Sequence, residues 1–400
     1  AAFKVFGVNE WAARLGPALC GLLTIAAVWF VGREIDREEP RGFAFWSVVV
    51  TASCLGLIVF SRAASFDVVI TMTATWSLAF FLLYELRKKR LLLAGFYAFV
   101  GLSLLAKGLV GIVIPFGVVG LYYILRRAWP SRPVILSVFW GMPLALAVSA
   151  IWYGPVIARH GWTFIDEFFV QHHFARFVSN KYHHPQPIYF YPAIILMLAL
   201  PWTPYLVVAL AKVRSWTWRG GDGLSIVRVF ALAWLLLPIV FFSFSGSKLP
   251  GYVLPVIPAI VLLVSDGLTR ILQPRWPLII AGATMVLVVV ALNFGAVRYA
   301  NRESVRDLLW LADAHGYAGA PVFAQRSDDR SAEFYAYGRV VYGPDGEPVT
   351  VDEVSLEQAR AIGGKLVVME SLEYIDYFRA VPAMEVIGDN GKTVVLGWKP

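Results

Sequence analysis

The sequence predicts a polytopic α-helical membrane protein of about ten spans that ends in a small soluble α/β domain. Three observations carry that expectation. Of 400 residues, 58% are hydrophobic and only 16% charged, where soluble domains average about 25% charged. Long apolar runs fill the first 300 residues and then stop. The charge divides at the same place: the chain carries +8 overall, but residues 301–400 hold 10 Lys/Arg against 16 Asp/Glu, so a tail of −6 follows a membrane part of +14. Disordered, coiled-coil and collagen-like readings are excluded by the same composition. Cys20 and Cys54 are the only cysteines and both lie in apolar runs, which suggests neither a disulfide nor a zinc site.

A hydrocarbon core of roughly 30 Å takes about 20 helical residues. Runs of that kind lie near residues 15–32, 43–60, 67–86, 91–105, 108–126, 134–157, 188–211, 226–244, 252–269 and 277–297. At about 1.5 Å per residue, 91–126 is too long for one crossing, so it reads as two spans joined by a tight turn at Lys107-Gly108. Counting Lys and Arg between the runs gives sixteen on one side, including Arg87-Lys88-Lys89-Arg90, Arg126, Arg127, Arg132 and Arg219, and nine on the other. The richer side reads as cytoplasmic. Basic charge here therefore reports orientation in a membrane, and nucleic acid is not among the expected partners.

This division sends every unusual polar segment to the outer, extracytoplasmic side: residues 61–67, 106–108, 158–187 and 245–251, and the C-terminal domain 301–400. The tail alternates helical and strand patterns. Helices are predicted over 304–314, 332–337, 352–362 and 372–378, and strands over 321–324, 340–342 and 365–369. A hairpin of 383–387 and 393–398 turns at Asn390-Gly391, a pair that favours tight turns. No Gly-rich phosphate loop is present, so the tail reads as a cap or support for the membrane part.

Four of the six histidines, His172, His173, His183 and His184, fall within 13 residues of the outer loop. Three uses stay open. If 168–177 is helical, His173 and Arg176 share a face and suit an anion. The histidines could instead ligate a transition metal, although no spacing matches a zinc motif. They could also simply be solvated at the interface, beside Tyr and Trp belt residues. Lys107 and Lys248 each occupy a short outer turn, where either snorkels to the headgroups or joins Arg62, Arg176 and Lys181 around a lipid phosphate. Asp67 heads an apolar span, as a helix-terminal carboxylate or as a general base or metal holder beside that phosphate. Pro250, Pro255 and Pro258 break the helix after Lys248, as happens where backbone lines a cavity. The spans carry almost no ionisable residue at mid-depth, which argues against an ion pathway.

Taken together, Trp11-Ala12-Ala13-Arg14-Leu15-Gly16-Pro17, Ala106-Lys107-Gly108 with Pro115, His173-x-x-Arg176-Phe177, His184-x-x-Pro187, Leu200-Pro201-Trp202 and Ser247-Lys248-Leu249-Pro250-x-Tyr252-x-Leu254-Pro255 resemble bacterial enzymes of the dolichyl-phosphate-mannose protein mannosyltransferase type. Within these the resemblance is to the aminoarabinose lipid A transferases. It implies a GT-C-type integral membrane glycosyltransferase that takes a sugar from a polyprenyl phosphate donor and hands it to a lipid A-like lipid or a protein on the outer face of the plasma membrane. By resemblance Lys107, Arg176 and Lys248 are donor-phosphate ligands, His173 and His184 are the family's loop histidines, and Asp67 matches its second acidic position. Tyr252 and Arg62 complete the candidate substrate-binding set. The resemblance names no definite cofactor and leaves room for a divalent metal. In the family an outer loop after the first span carries an Asp-Glu pair with the leading catalytic carboxylate. This sequence begins beyond such a loop, so the reading expects a truncated family member, with Asp67 as the alternative base. A transporter or flippase of lipid-linked sugars is the competing class, and it predicts inverted repeats and polar groups at mid-membrane, neither of which the sequence shows.

Overall fold

The computed structural model describes residues 2–38, 42–166, 186–295, 304–324, 331–343, 348–349, 364–379 and 383–399. The chain divides into two compact units, 1–285 and 286–400.

The first unit is helical. Its elements are α1 (Ala2–Phe6), α2 (Glu10–Glu38), α3 (Phe43–Ser53), α4 (Leu55–Arg62), α5 (Asp67–Arg87), α6 (Leu91–Lys107), α7 (Val110–Arg126), α8 (Arg132–Ile165), α9 (Phe190–Leu198), α10 (Thr203–Ala211), α11 (Gly223–Ser243), a 3-10 segment (Pro250–Val256), α12 (Ile257–Leu268) and α13 (Arg275–Val290). Among the described residues six helical segments are long and apolar enough to cross a membrane, or up to eight if each of two bent pairs is one span. This is a polytopic membrane protein. The expectation of about ten spans counted α6 and α7 as crossings. Each has only 17 residues, about 26 Å of helix at the usual rise.

Two predicted continuous spans are broken instead. The run 43–60 bends by 55° at Cys54, and 188–211 bends by 119° between α9 and α10, where Pro201 has no N–H to continue a helix. The two breaks meet. Leu55 N donates to Leu200 O at 2.8 Å, Cys54 Sγ reaches Leu198 O at 3.0 Å, and Trp202 Nε1 donates to Ser53 Oγ at 3.1 Å. Backbone groups released by one break are thus satisfied at the other, which is the condition for irregular backbone at membrane depth. Similarly, Trp234 Nε1 donates to Pro255 O at 2.8 Å in the proline-broken segment.

The α5 helix is the best-buried full-length span before the proline-broken segment, and its polar residues explain how it tolerates that position. Thr71 and Thr75 donate to the carbonyls of Asp67 and Thr71, and Ser77 donates to Phe96 O at 3.1 Å. Buried hydroxyls that bond their own helix leave no polar atom facing lipid. Phe81 stacks on Phe230 of α11 at 6.0 Å, joining two of the central helices. The turn after α2 is fixed by Asp36, whose carboxylate accepts from the backbone N–H of Phe43 and Ala44 at 2.8 Å each and so caps α3 from a neighbouring helix. The tight turn expected at Lys107-Gly108 is present, with Gly108 at φ 57°.

The second unit holds a four-stranded sheet of β1 (Val322–Ala324), β2 (Leu366–Ser371), β3 (Met384–Asp389) and β4 (Thr393–Trp398), in the order β1-β2-β4-β3. β1 and β2 run parallel, and the other pairs are antiparallel. The period-two pattern of β2 and β4 separates two apolar layers. Val367, Met369 and Val395 pack with Leu308, Leu309 and Tyr317, whereas Val368, Val394 and Leu396 pack with Phe323 and Phe378. The hairpin of β3 and β4 forms where predicted, with a bulge at Val386/Gly388. Predicted strand 340–342 is reduced to isolated bridges, Val322 with Val340 and Tyr342 with Pro348. Predicted helix 352–362 lies outside the described residues.

Candidate active site

The helix α5 starts at Asp67 after a short polar turn. The backbone N–H of Asp67 donates to Ser65 Oγ at 3.1 Å, and that hydroxyl donates on to Asp67 Oδ2 at 3.2 Å. This fixes one carboxylate oxygen and leaves the other to face α6. Lys107, the last residue of α6, places Nζ 2.5 Å from Asp67 Oδ1. The pair is mostly buried, with 23% and 20% of the two side chains exposed, so the charges are attracted more strongly than at an open surface. Lys107 Nζ also lies 4.3 Å from the ring centre of Tyr252, where the aromatic face favours a cation.

Tyr252 reaches this position because the Pro250–Val256 segment packs against the start of α5. Gly251 sits directly against the Asp67 carboxylate, and a Cβ there would overlap it and approach Phe60 Cε1 to 2.9 Å. Behind Tyr252 an aromatic wall continues through Phe242 at 5.3 Å and Tyr191 a further 6.2 Å away. The same turn buries Ser247 with no partner for its Oγ among the described residues. A buried hydroxyl without a partner is costly in a folded protein.

Of the residues singled out in the sequence, the structure brings Asp67, Lys107 and Tyr252 together. Lys248 stands in the same turn as Gly251 but spends its amine on Gln186 O, at 3.0 Å. Arg62 ends α4 and is exposed. His173, Arg176 and His184 lie outside the described residues. Among the described residues no three His, Cys, Asp or Glu side chains gather to hold a metal. Sequence reasoning missed Ser65 and Gly251, the two residues that shape the carboxylate's surroundings. Gly251 stood inside a quoted motif, and its place between Pro250 and Tyr252 was the available signal.

Comparison with known proteins points to the same group of enzymes. Residues 1–153 match the family model of dolichyl-phosphate-mannose-protein mannosyltransferase. The chain is 27% identical over 280 residues to the undecaprenyl phosphate-alpha-4-amino-4-deoxy-L-arabinose arabinosyl transferase 2 of Pseudomonas fluorescens, covering 66% of this chain and 47% of that protein. It is 29% identical over 272 residues to the corresponding transferase of Erwinia tasmaniensis, with the same coverages. The crystal structure of ArnT from Cupriavidus metallidurans bound to undecaprenyl phosphate superposes with a TM-score of 0.77 at 21% identity, covering 99% of this chain and 85% of that one. The fold is of GT-C type. In sequence the chain is similar to the aminoarabinose transferases, as its motifs implied, and it spans about half the length of the curated relatives it matches.

Proposed function

We propose that this chain is a membrane glycosyltransferase that moves a sugar, a pentose of the aminoarabinose kind, from a polyprenyl-phosphate donor to a lipid A-like acceptor or a protein hydroxyl. The reading rests on the Asp67–Lys107–Tyr252 cluster at the ends of apolar helices, in a chain similar to transferases named for an undecaprenyl phosphate donor.

In such a transfer the acceptor oxygen bonds to the anomeric carbon, the bond from that carbon to the phosphate oxygen breaks, and the phosphate leaves with the electron pair. Negative charge grows on the departing phosphate, so a cation fixed beside it lowers the barrier. Lys107 is that cation, held between Asp67 and Tyr252. Lys248 supplies a second from the neighbouring turn, with Arg176 as a third ligand, while His173, His184, Tyr252 and Arg62 contact the substrates. Asp67 keeps Lys107 in place and offers a carboxylate oxygen to take the acceptor's proton.

The protein sits in the plasma membrane with segments 61–67, 106–108, 158–187 and 245–251 and the domain 301–400 on the extracytoplasmic side, because Lys and Arg concentrate at the opposite helix ends. The charged residues of the described spans lie toward helix ends, which disfavours a transporter with ionisable groups at mid-depth.

The test measures sugar transfer from the undecaprenyl phosphate donor in membranes containing the protein with Lys107→Met or Lys248→Ala. Transfer should fall on the order of a hundredfold for Lys107→Met, the size seen when one charge-stabilising donor is removed, and less for Lys248→Ala. Undiminished transfer by both variants sinks the phosphate-site reading, and transport of the lipid-linked sugar without transfer favours the flippase class.

A further inference from the structure

At the end of α6, α7 and α8 opposite Lys107, an apolar cavity of about 640 Å³ opens between the three helices, lined by Phe96, Phe116, Val119, Ile135 and others. Two of its hydroxyls are already committed, since those of Tyr97 and Ser137 bond each other at 3.1 Å. Gly120 of α7 lies on its wall, and a Cβ added there meets no atom within 4 Å, so the space beside it is open. A second cavity of about 510 Å³ shares Ile124 and Arg127 with the first and is bounded by Trp218 and Arg219.

The two arginines at this junction differ from their neighbours. Arg126 is engaged, donating to Tyr122 Oη at 3.2 Å and to Gly220 O at 2.8 Å. Arg127 holds a left-handed backbone, φ 48°, where α7 ends, and lines both cavities. Neither Arg127 nor Arg219 makes an ion pair or side-chain hydrogen bond among the described residues. Trp129 is 92% exposed at the rim, as expected of an aromatic residue at headgroup level. An apolar slot continuous with two uncompensated guanidinium groups complements a molecule that is long and apolar at one end and anionic at the other.

We propose that this double cavity binds one anionic phospholipid, with an acyl chain in the apolar part and the phosphate between Arg127 and Arg219. Guanidinium forks match phosphate oxygens in geometry as well as charge. A zwitterionic headgroup carries its own cation and gains less, and a free phosphate leaves the larger, apolar cavity unexplained. The site is separate from the Asp67–Lys107 cluster and stands or falls without it.

Purified protein, delipidated in detergent, is titrated with phosphatidylglycerol and with phosphatidylcholine, and bound lipid is counted by native mass spectrometry. One phosphatidylglycerol should be retained where phosphatidylcholine is lost. Gly120→Phe fills the open space and should reduce retention of both lipids by on the order of tenfold. Arg127→Gln with Arg219→Gln should remove the preference for phosphatidylglycerol, about fivefold for each arginine, and decides the matter if Gly120→Phe does not fold. Glycerol 3-phosphate should not displace the lipid. Equal retention of the two lipids by the unmodified protein, or unchanged retention in both variants, overturns the proposal. So does displacement by glycerol 3-phosphate, or an effect of the arginine pair with none from a folded Gly120→Phe, either of which leaves a headgroup site without an acyl seat.

Discussion

Asp67 and Glu85 stand at opposite ends of α5, and their surroundings differ in kind. Glu85 is 7% exposed and saturated: Tyr123 Oη donates to it at 2.9 Å, Tyr122 Oη at 3.3 Å and Lys88 Nζ at 2.9 Å. Arg126 in turn donates to Tyr122, so the network closes on itself. Asp67 has one cation, one hydroxyl and a glycine pressed against it, and the turn that carries Gly251 buries the Ser247 hydroxyl, which no described residue satisfies. A closed polar network holds helices in place, since every lost partner strands a buried group. A partly open one is worse for folding and better for binding, because its unused donors and acceptors are free for a substrate. The two ends of one helix thus set a carboxylate enclosed in a closed network apart from the one to which the proposed function assigns a role.

This contrast can be broken at several points. The largest effect should come from Asp67→Asn, which removes the charge that holds Lys107. Transfer should drop by about two to three orders of magnitude with little change in thermal stability, and an unfolded or fully active variant would equate the two ends after all. At the other end Glu85→Leu leaves two tyrosine hydroxyls and a lysine without their acceptor. It should destabilise by about 3 kcal/mol, read as a fall in melting temperature in detergent, while transfer per folded molecule stays near that of the unmodified protein.

Gly251→Ala tests the close approach of backbone to the Asp67 carboxylate. It should cost about 1–3 kcal/mol and lower transfer, whereas Gly120→Ala, with open space around its Cβ, should change neither. Tyr252→Phe keeps the aromatic face over Lys107 and should be nearly silent, and Tyr252→Leu should weaken donor binding by a few-fold, in keeping with about 0.5–1 kcal/mol for a cation above a ring.

The smallest expected effect concerns pH at the Glu85 end. Asp222 caps α11, and its hydrogen bond from Ser225 holds its carboxyl below the ordinary value of 3.8. A carboxyl lowered by folding adds stability above that ordinary value and loses it as pH falls through the folded one. Asp222→Asn, which can still cap, should therefore flatten the acid side of the stability profile by a few tenths of a kcal/mol, and an unchanged acid limb would show that the cap's charge does not matter.

How much of this was legible beforehand varies with the range of the interaction. The Lys107-Gly108 turn, the start of α5 at Asp67 and the β3–β4 hairpin are local, and the sequence announced each through a charge between apolar runs or an Asn-Gly pair. The bends at Cys54 and at Pro201 were not announced in the same way. Pro201 stood in a quoted motif, but nothing local says that the break at Leu200 supplies the partner for the break at Leu55. The site was half legible. Asp67, Lys107 and Tyr252 were each named, yet their meeting depends on α5, α6 and the 250–256 segment packing together, and Gly251 shows its purpose only there.

The sequence by itself determined that this chain lives in a membrane, where its apolar runs lie, and how its charge divides between them, because hydropathy and helical rise act along the chain. Only the tertiary structure decided which of several similar charges are paired, which breaks satisfy one another, and which end of α5 is left open. Those are distances between segments remote in sequence, and a buried charge or carbonyl takes its meaning from the partner that packing brings within about 3 Å.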